Sequence, residues 1–257
     1  MKKILLSILL LMYVGVQSAM AQSVIINYKN GEVLDIDASL VESITFEEAE
    51  NHEWVDLGLP SGTLWATCNI GANNPEEYGD YFAWGETQPK SNYRWATYKY
   101  CKGSSNTLTR YCYQSDYGYN GFTDTLTELL PEDDAATANW GKNWQTPSLT
   151  QIQELFDSAY TATAYTTQNG VKGRKITSKI NGYSIFLPAA GYRYGESFRH
   201  GGDLYDSNGD YWTRSFAMTE SIRAHFMRFT PRAVLWNAEY RFPGHTVRPV
   251  RKQQPLP

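Results

Sequence analysis

Cysteine is scarce in this chain of 257 residues: three are present, Cys68, Cys101 and Cys112, and none follows position 112. A disulfide-dense small scaffold is thereby excluded, and no thiol chemistry can be built in the C-terminal half. Charge is also modest, at 19% of residues with a net charge of -4, which gives no general attraction to nucleic acid. Long apolar runs are confined to the first residues, so no later stretch reads as a membrane span. Long amphipathic helical patterns, internal repeats and low-complexity tracts are missing too. Four histidines, His52, His200, His225 and His245, are scattered with no local signature of a metal triad or of a nucleophile with its base.

What is present begins with an address. Lys2 and Lys3 precede an apolar run from Ile4 to Val16, and Ala19-Met20-Ala21 offers small residues where a signal peptidase cuts. The run is short of the roughly 20 residues that span a bilayer. Residues 1–21 therefore read as a signal peptide, and the mature chain as exported to the periplasm, the cell surface or beyond. No Cys follows the run to carry a lipid anchor.

Residues 22–49 read as a small β unit with a linker. Val24 to Tyr28 and Val33 to Ile36 flank the turn signal Lys29-Asn30-Gly31, and Ser43 to Phe46 forms a further short strand. Residues 50–252 form the main domain, and 253–257 a frayed tail. In the main domain the spacing predicts short strands at Leu64 to Thr67, Tyr81 to Trp84, Gly173 to Ser178, Tyr183 to Pro188, Tyr211 to Ser215, Ile222 to Phe229 and Thr246 to Val250. Helices are predicted at Ala135 to Trp140 and at Ser148 to Ala159, the second opened by a Ser148–Gln151 capping box. Few helices followed by many short strands indicate an α+β fold with long irregular loops.

Three local patterns bear on chemistry. Cys101 and Cys112 bracket a hairpin-like run and are the best pair for a disulfide, the other reading being three reduced, buried cysteines. Asp203, Asp206, Asn208 and Asp210 place oxygen ligands at alternating positions around a glycine turn, a pattern that calcium accepts and that plain turns also use. Otherwise no cofactor is expected. The tail from Tyr211 to Arg251 interleaves aromatics with arginines, the residue types of binding hot spots. Within it, Thr230-Pro231-Arg232 breaks a strand and Val234 to Phe242 reads as a loop; Arg232 together with Trp236, Asn237, Glu239, Tyr240 and Arg241 of the loop form the candidate ligand surface, while Trp212, Phe226, Phe229 and Phe242 lie inside.

Several blocks carry a family likeness: Val55-Asp56-Leu57-Gly58-Leu59-Pro60-Ser61-Gly62-Thr63-Leu64-Trp65-Ala66-Thr67, then Gly79 through Thr87, Ala138-Asn139-Trp140-Gly141, Trp144-Gln145-Thr146-Pro147-Ser148, Phe186 through Arg193, and Gly244-His245-Thr246-Val247-Arg248-Pro249-Val250. Together they resemble the Fibrobacter succinogenes major paralogous domain of exported Bacteroidetes and Fibrobacter proteins. The resemblance implies a C-type-lectin-like fold of the formylglycine-generating-enzyme branch, with the main helix after Pro147 and a closing strand near Val247. It implies core roles for Trp65, Trp84, Trp140 and Trp144, turn or close-approach roles for Gly58, Gly62, Gly79, Gly191 and Gly244, and buried hydrogen bonds for Arg193 and Arg248, to carbonyls or to carboxylates such as Glu86. The enzymatic branch needs a late cysteine pair that this chain lacks. The expectation is thus a non-catalytic binding or adhesion module for a protein or glycan ligand at the cell surface. The alternatives are a structural surface-assembly subunit without a ligand and, after it, an enzyme of unknown reaction.

Overall fold

A computed structural model describes residues 23–27, 33–37, 52–199 and 208–252. The signal segment, the expected strand at Ser43 to Phe46 and the tail 253–257 lie outside the described residues. The chain divides into two compact units, Met1–Ala49 and Glu50–Pro257. In the first, β1 (Ser23–Asn27) and β2 (Val33–Asp37) pair antiparallel, with Ser23 opposite Asp37 and Asn27 opposite Val33.

Among the described residues the second unit is mainly β, with two short α-helices and several single-turn 3-10 helices. Its elements in order are β3 (Trp54–Asp56), β4 (Thr63–Ala66), α1 (Ala135–Trp140), α2 (Leu149–Leu155), β5 (Thr161–Gln168), β6 (Val171–Ser178), β7 (Ser184–Pro188), β8 (Tyr192–Tyr194), β9 (Ser197–Arg199), β10 (Gly209–Phe216), β11 (Arg223–Phe229), β12 (Val234–Tyr240) and β13 (Val250–Lys252). They assemble into small antiparallel sheets: β13-β4-β3, β5-β6-β7, β10-β11-β12 and the hairpin β8-β9. No helix among the described residues is long and apolar enough to cross a membrane.

Local chemistry explains most boundaries. Asp134 caps α1 by accepting from the Ala136 and Thr137 amides. Ser148 and Gln151 form the expected capping box on α2, with Ser148 N donating to Gln151 Oε1 at 2.9 Å and Gln151 N to Ser148 Oγ at 3.2 Å. The helix ends at Leu155, earlier than predicted, because Asp157 folds the next residues into a turn and accepts from the Ala159 amide. Strand β5, absent from the sequence reading, pairs with β6 through Asn169-Gly170, both at positive φ (48° and 84°), a hairpin turn that Asn-Gly adopts at little cost. Tyr81 to Trp84 is not a strand; only Phe82 makes a bridge, to His245.

Two aromatic-rich core clusters result, one around Trp84, Trp212, Phe226 and Phe242, the other around Trp65, Leu155, Tyr211, Met227 and Phe229. Trp65, Trp84, Trp140 and Trp144 are all buried. Between the clusters runs residues 241–250, every one buried. It bridges to four other segments, Gly244 to Arg193, His245 to Phe82, Thr246 to Tyr211 and Val250 to Gln145. Val250 also opens β13 against Trp65 of β4, so the closing strand begins later than the predicted Thr246. Gly244 has no room for a side chain, since a Cβ there would lie 2.6 Å from the Tyr93 ring.

Arg248 is the polar centre of this segment. Fully buried, it donates from Nε to Asn69 Oδ1 (2.8 Å), from Nη1 to the carbonyls of Ala66 (3.2 Å) and Thr67 (2.8 Å), and from Nη2 to that of Phe186 (3.0 Å). Its partners are thus carbonyls and an amide; Glu86 instead pairs with Lys90 at 2.8 Å. Arg193 lies over the Tyr81 and Phe198 rings.

The expected disulfide is not formed: all three cysteines are free and buried. Each of the proposed pair is satisfied locally, Cys101 Sγ donating to the Trp95 carbonyl (3.1 Å) and Cys112 Sγ to that of Gln114 (3.1 Å). Burial raises both thiols above their usual range, which disfavours the reactive thiolate. Two outcomes are expected. Arg248→Met strands several buried acceptors and lowers unfolding stability by about 3 kcal/mol or more in urea denaturation, against about 0.5 kcal/mol or less for exposed Arg232→Ala; equal losses would show that Arg248 is not a structural hub. A thiol-specific chromogenic reagent should titrate none of the three cysteines in the native protein and all three in denaturant without reductant.

Candidate functional site

The tail builds a three-stranded sheet rather than a strand followed by a loop. Thr230 N donates to the Ala233 carbonyl at 2.8 Å, closing a tight connection at Pro231 and Arg232 that returns the chain as β12. Strand β11 then pairs β12 from Phe229 opposite Val234 to Arg223 opposite Tyr240. On its other side β11 pairs β10, with Asp210 opposite Arg228 and Trp212 opposite Phe226. The β10 edge is flanked by residues 127–129, whose Thr127 and Leu129 exchange hydrogen bonds with Phe216 and Arg214.

Strand alternation sorts the predicted surface onto opposite faces. Trp236, opposite Met227, lies toward the second core cluster, its ring 6.2 Å from Phe156 and still 41% exposed. Asn237 and Glu239, opposite Phe226 and Ala224, lie on the other face. Tyr240 is half-buried, with its ring against Phe242 (5.9 Å) and Trp95 (6.2 Å) and the Arg223 guanidinium 4.5 Å from its centroid. Arg223 is itself held by Glu220 at 2.5 Å. Arg232 is exposed at the turn.

Arg241 is not at the surface. It is fully buried, donating to the Arg110 and Tyr111 carbonyls (3.1 and 3.0 Å) beside the rings of Trp84, Tyr98 and Phe216. An arginine following a strand of alternating polarity reads as exposed; the chain instead turns inward after Tyr240, and three aromatic rings flank the cation.

The face carrying Asn237 and Glu239 has a polar floor. Asp210, fully buried, accepts from Arg228 Nε at 2.5 Å and from the Asn208 amide. Arg228 leans along its strand over Phe226 (5.3 Å) and under Tyr192 of β8 (5.6 Å), with a third of its side chain exposed. His245, fully buried, stacks on Trp212 at 4.1 Å and 13°, with Tyr192 and Phe226 at its edges. Neither of its ring nitrogens has a hydrogen-bond partner among the described residues. Two residues on from Tyr192, Tyr194 is 42% exposed and meets the Phe242 ring at 5.2 Å. Tyr192, Tyr194, Asp210, Arg228 and His245 were outside the predicted ligand surface. The Tyr-Arg-Tyr alternation at 192–194 was the available signal for two rings on one side of a strand.

These contacts also bear on calcium. Asp203 and Asp206 lie outside the described residues. Asn208 donates from Nδ2 to one Asp210 oxygen and Arg228 from Nε to the other, while the buried Asn208 Oδ1 has no hydrogen-bond partner among the described residues. No cluster of three His, Cys, Asp or Glu side chains that could hold a metal occurs among the described residues.

Titration in the floor follows burial. Desolvation pushes Asp210 up to about 6, against the pull of Arg228. Desolvation, reinforced by the Arg228 charge, holds His245 well below the usual imidazole range. Compared with known proteins, the chain matches no protein-family model, no curated protein and no solved structure.

The sign of the His245 effect is fixed. A base depressed in the folded state binds fewer protons than the unfolded chain below about pH 6.5, so its contribution to stability is lost as pH falls. Asp210, raised, acts in the opposite sense. Around His245 stand Arg228 and Tyr192, with Asp210 and Glu239 acting through Arg228. The melting temperature should therefore drop less between about pH 7.5 and about pH 5.5 in His245→Phe, which keeps the ring stack, than in the parent protein. Identical slopes would show that His245 titrates normally.

Proposed function

We propose that this chain is an exported, non-catalytic ligand-binding or adhesion module. Its main domain is read as C-type-lectin-like, of the major-paralogous type that its sequence blocks resemble. A small-sheet α+β architecture, an α2 that begins after Pro147 and a C-terminal strand that pairs with the first sheet are what such a domain requires, and they support the reading.

The observation that carries the binding assignment is the anchored, half-exposed polar face of the β10–β11–β12 sheet. Arg228 is fixed by a buried carboxylate and two rings, and Asn237 and Glu239 stand on the same face of the adjacent strand. Fixing these groups in advance lowers the ordering cost of recognition. Tyr194, exposed against the Phe242 ring, adds rigid aromatic area. The surface is therefore smaller than the sequence implied and displaced from Trp236 toward β8.

An array of glycans and proteins probed with the purified mature chain tests this reading. Saturable binding to at least one probe is expected. Asn237→Ala combined with Glu239→Ala should abolish it with a melting temperature within about 2 °C of the parent, since Asn237 is exposed and Glu239 only half-buried. Trp236→Ala, on the opposite face, should leave it intact. Loss with Trp236→Ala and retention in the double variant would move the site to the other face and overturn the assignment.

A further inference from the structure

The same face carries free donors and free acceptors side by side, and that combination selects a ligand chemistry. Arg228 uses Nε on Asp210 and makes no hydrogen bond from Nη1 or Nη2 to another described residue. Asn237 uses Oδ1 on the Ala238 amide (2.8 Å), which leaves its amide NH2 as a donor. Glu239 uses Oε1 on the Tyr240 amide (2.8 Å), which leaves Oε2 as an acceptor. Glu239 is also within electrostatic reach of both Arg228 and Asp210.

The charge balance argues against an ionic ligand. Asp210 already matches Arg228, so the carboxylate of Glu239 opposes an incoming anion, while the guanidinium opposes a cation. A group that both donates and accepts, such as a hydroxyl, suits the set: it donates to Glu239 and accepts from Arg228 and Asn237. An extended peptide is the less suited ligand. It would add to the open edge of β12 through main-chain hydrogen bonds, yet the amides of Ala238 and Tyr240 are already covered by the side chains of Asn237 and Glu239. Tyr194, exposed and braced by Phe242 at an interplanar angle of 65°, supplies an aromatic surface for an apolar C–H face.

We propose that this face binds a neutral oligosaccharide directly, through Arg228, Asn237 and Glu239, with Tyr194 as the stacking platform and no bridging cation. The proposal rests on the reading of the chain as a binding module. It is tested with the purified mature protein in EDTA against neutral oligosaccharides, their uronic-acid or sialylated counterparts, and a set of extended peptides. Binding to neutral members is expected. Glu239→Gln and Tyr194→Ala should each weaken it about ten-fold or more, while Tyr194→Phe keeps it, all with unchanged melting temperature. Preference for the acidic sugars, dependence on a divalent cation, or full affinity in Glu239→Gln and Tyr194→Ala would overturn the proposal. Binding to the peptides alone would also overturn it but leave the binding-module reading standing; no binding to any probe would count against both.

Discussion

Burying an arginine is costly unless its donors are met, and this domain buries two along one stretch of chain. Residues 241–250 pass between the two core clusters with no exposed position. Taking a guanidinium out of water costs several kcal/mol, and hydrogen bonds to a charged group return about 1.5–3 kcal/mol each. Arg248 makes four such bonds, to partners in two separate segments, Ala66 to Asn69 and Phe186. The arrangement is satisfied only when β4, its following loop and β7 are in place together. Arg241 is met only in part: Nη1 donates to two carbonyls and three aromatic rings flank the cation, while Nε and Nη2 have no hydrogen-bond partner among the described residues. The fold is therefore specified less by long helices or wide sheets than by where these two cations can be accommodated.

That constraint reaches the candidate site through His245 and Thr246. Both belong to the buried segment; Thr246 bridges to Tyr211 in β10, and His245 stacks beneath Trp212 of the same strand. The floor of the polar face is thus continuous with the structural spine, and Asp210 and Arg228 inherit its rigidity. A loop would hold Asn237 and Glu239 less firmly than the strand does, because both positions are paired with β11, opposite Phe226 and Ala224.

The legible parts of the chain were those with local causes. The α2 capping box and the strands at Tyr211 and Arg223 follow from caps and alternation that a short window contains, whereas the buried Trp65 and Trp84 were expected from the blocks that carry the resemblance. Strand β5 was equally local, since its threonines precede an Asn-Gly turn, and was missed because threonine and alanine alternate without strong polarity. Strand β12 was missed for another reason. Val234-Leu235-Trp236-Asn237 mixes exposed and half-buried residues on both faces of an edge strand, so no period-two contrast marks it. The depth of Arg241 depends on Tyr111 and Trp84, far away in sequence, and no window around it holds that information.

The interleaving of arginine with aromatics, which drew attention to the tail, has a more specific meaning in the folded protein. Arg223 lies against Tyr240, Arg228 against Tyr192 and Phe226, and Arg241 among three rings. Rings so covered are not free to stack on a ligand, and arginines so held have limited charge to offer. What remains available is the uncovered ring of Tyr194 and the guanidinium nitrogens that stacking leaves unbonded. Composition alone counts every aromatic and every arginine as a potential contact. The pairing removes most of both and leaves a small, mixed hydrogen-bonding face, whose chemistry suits hydroxyl groups better than either a charged group or a broad apolar partner.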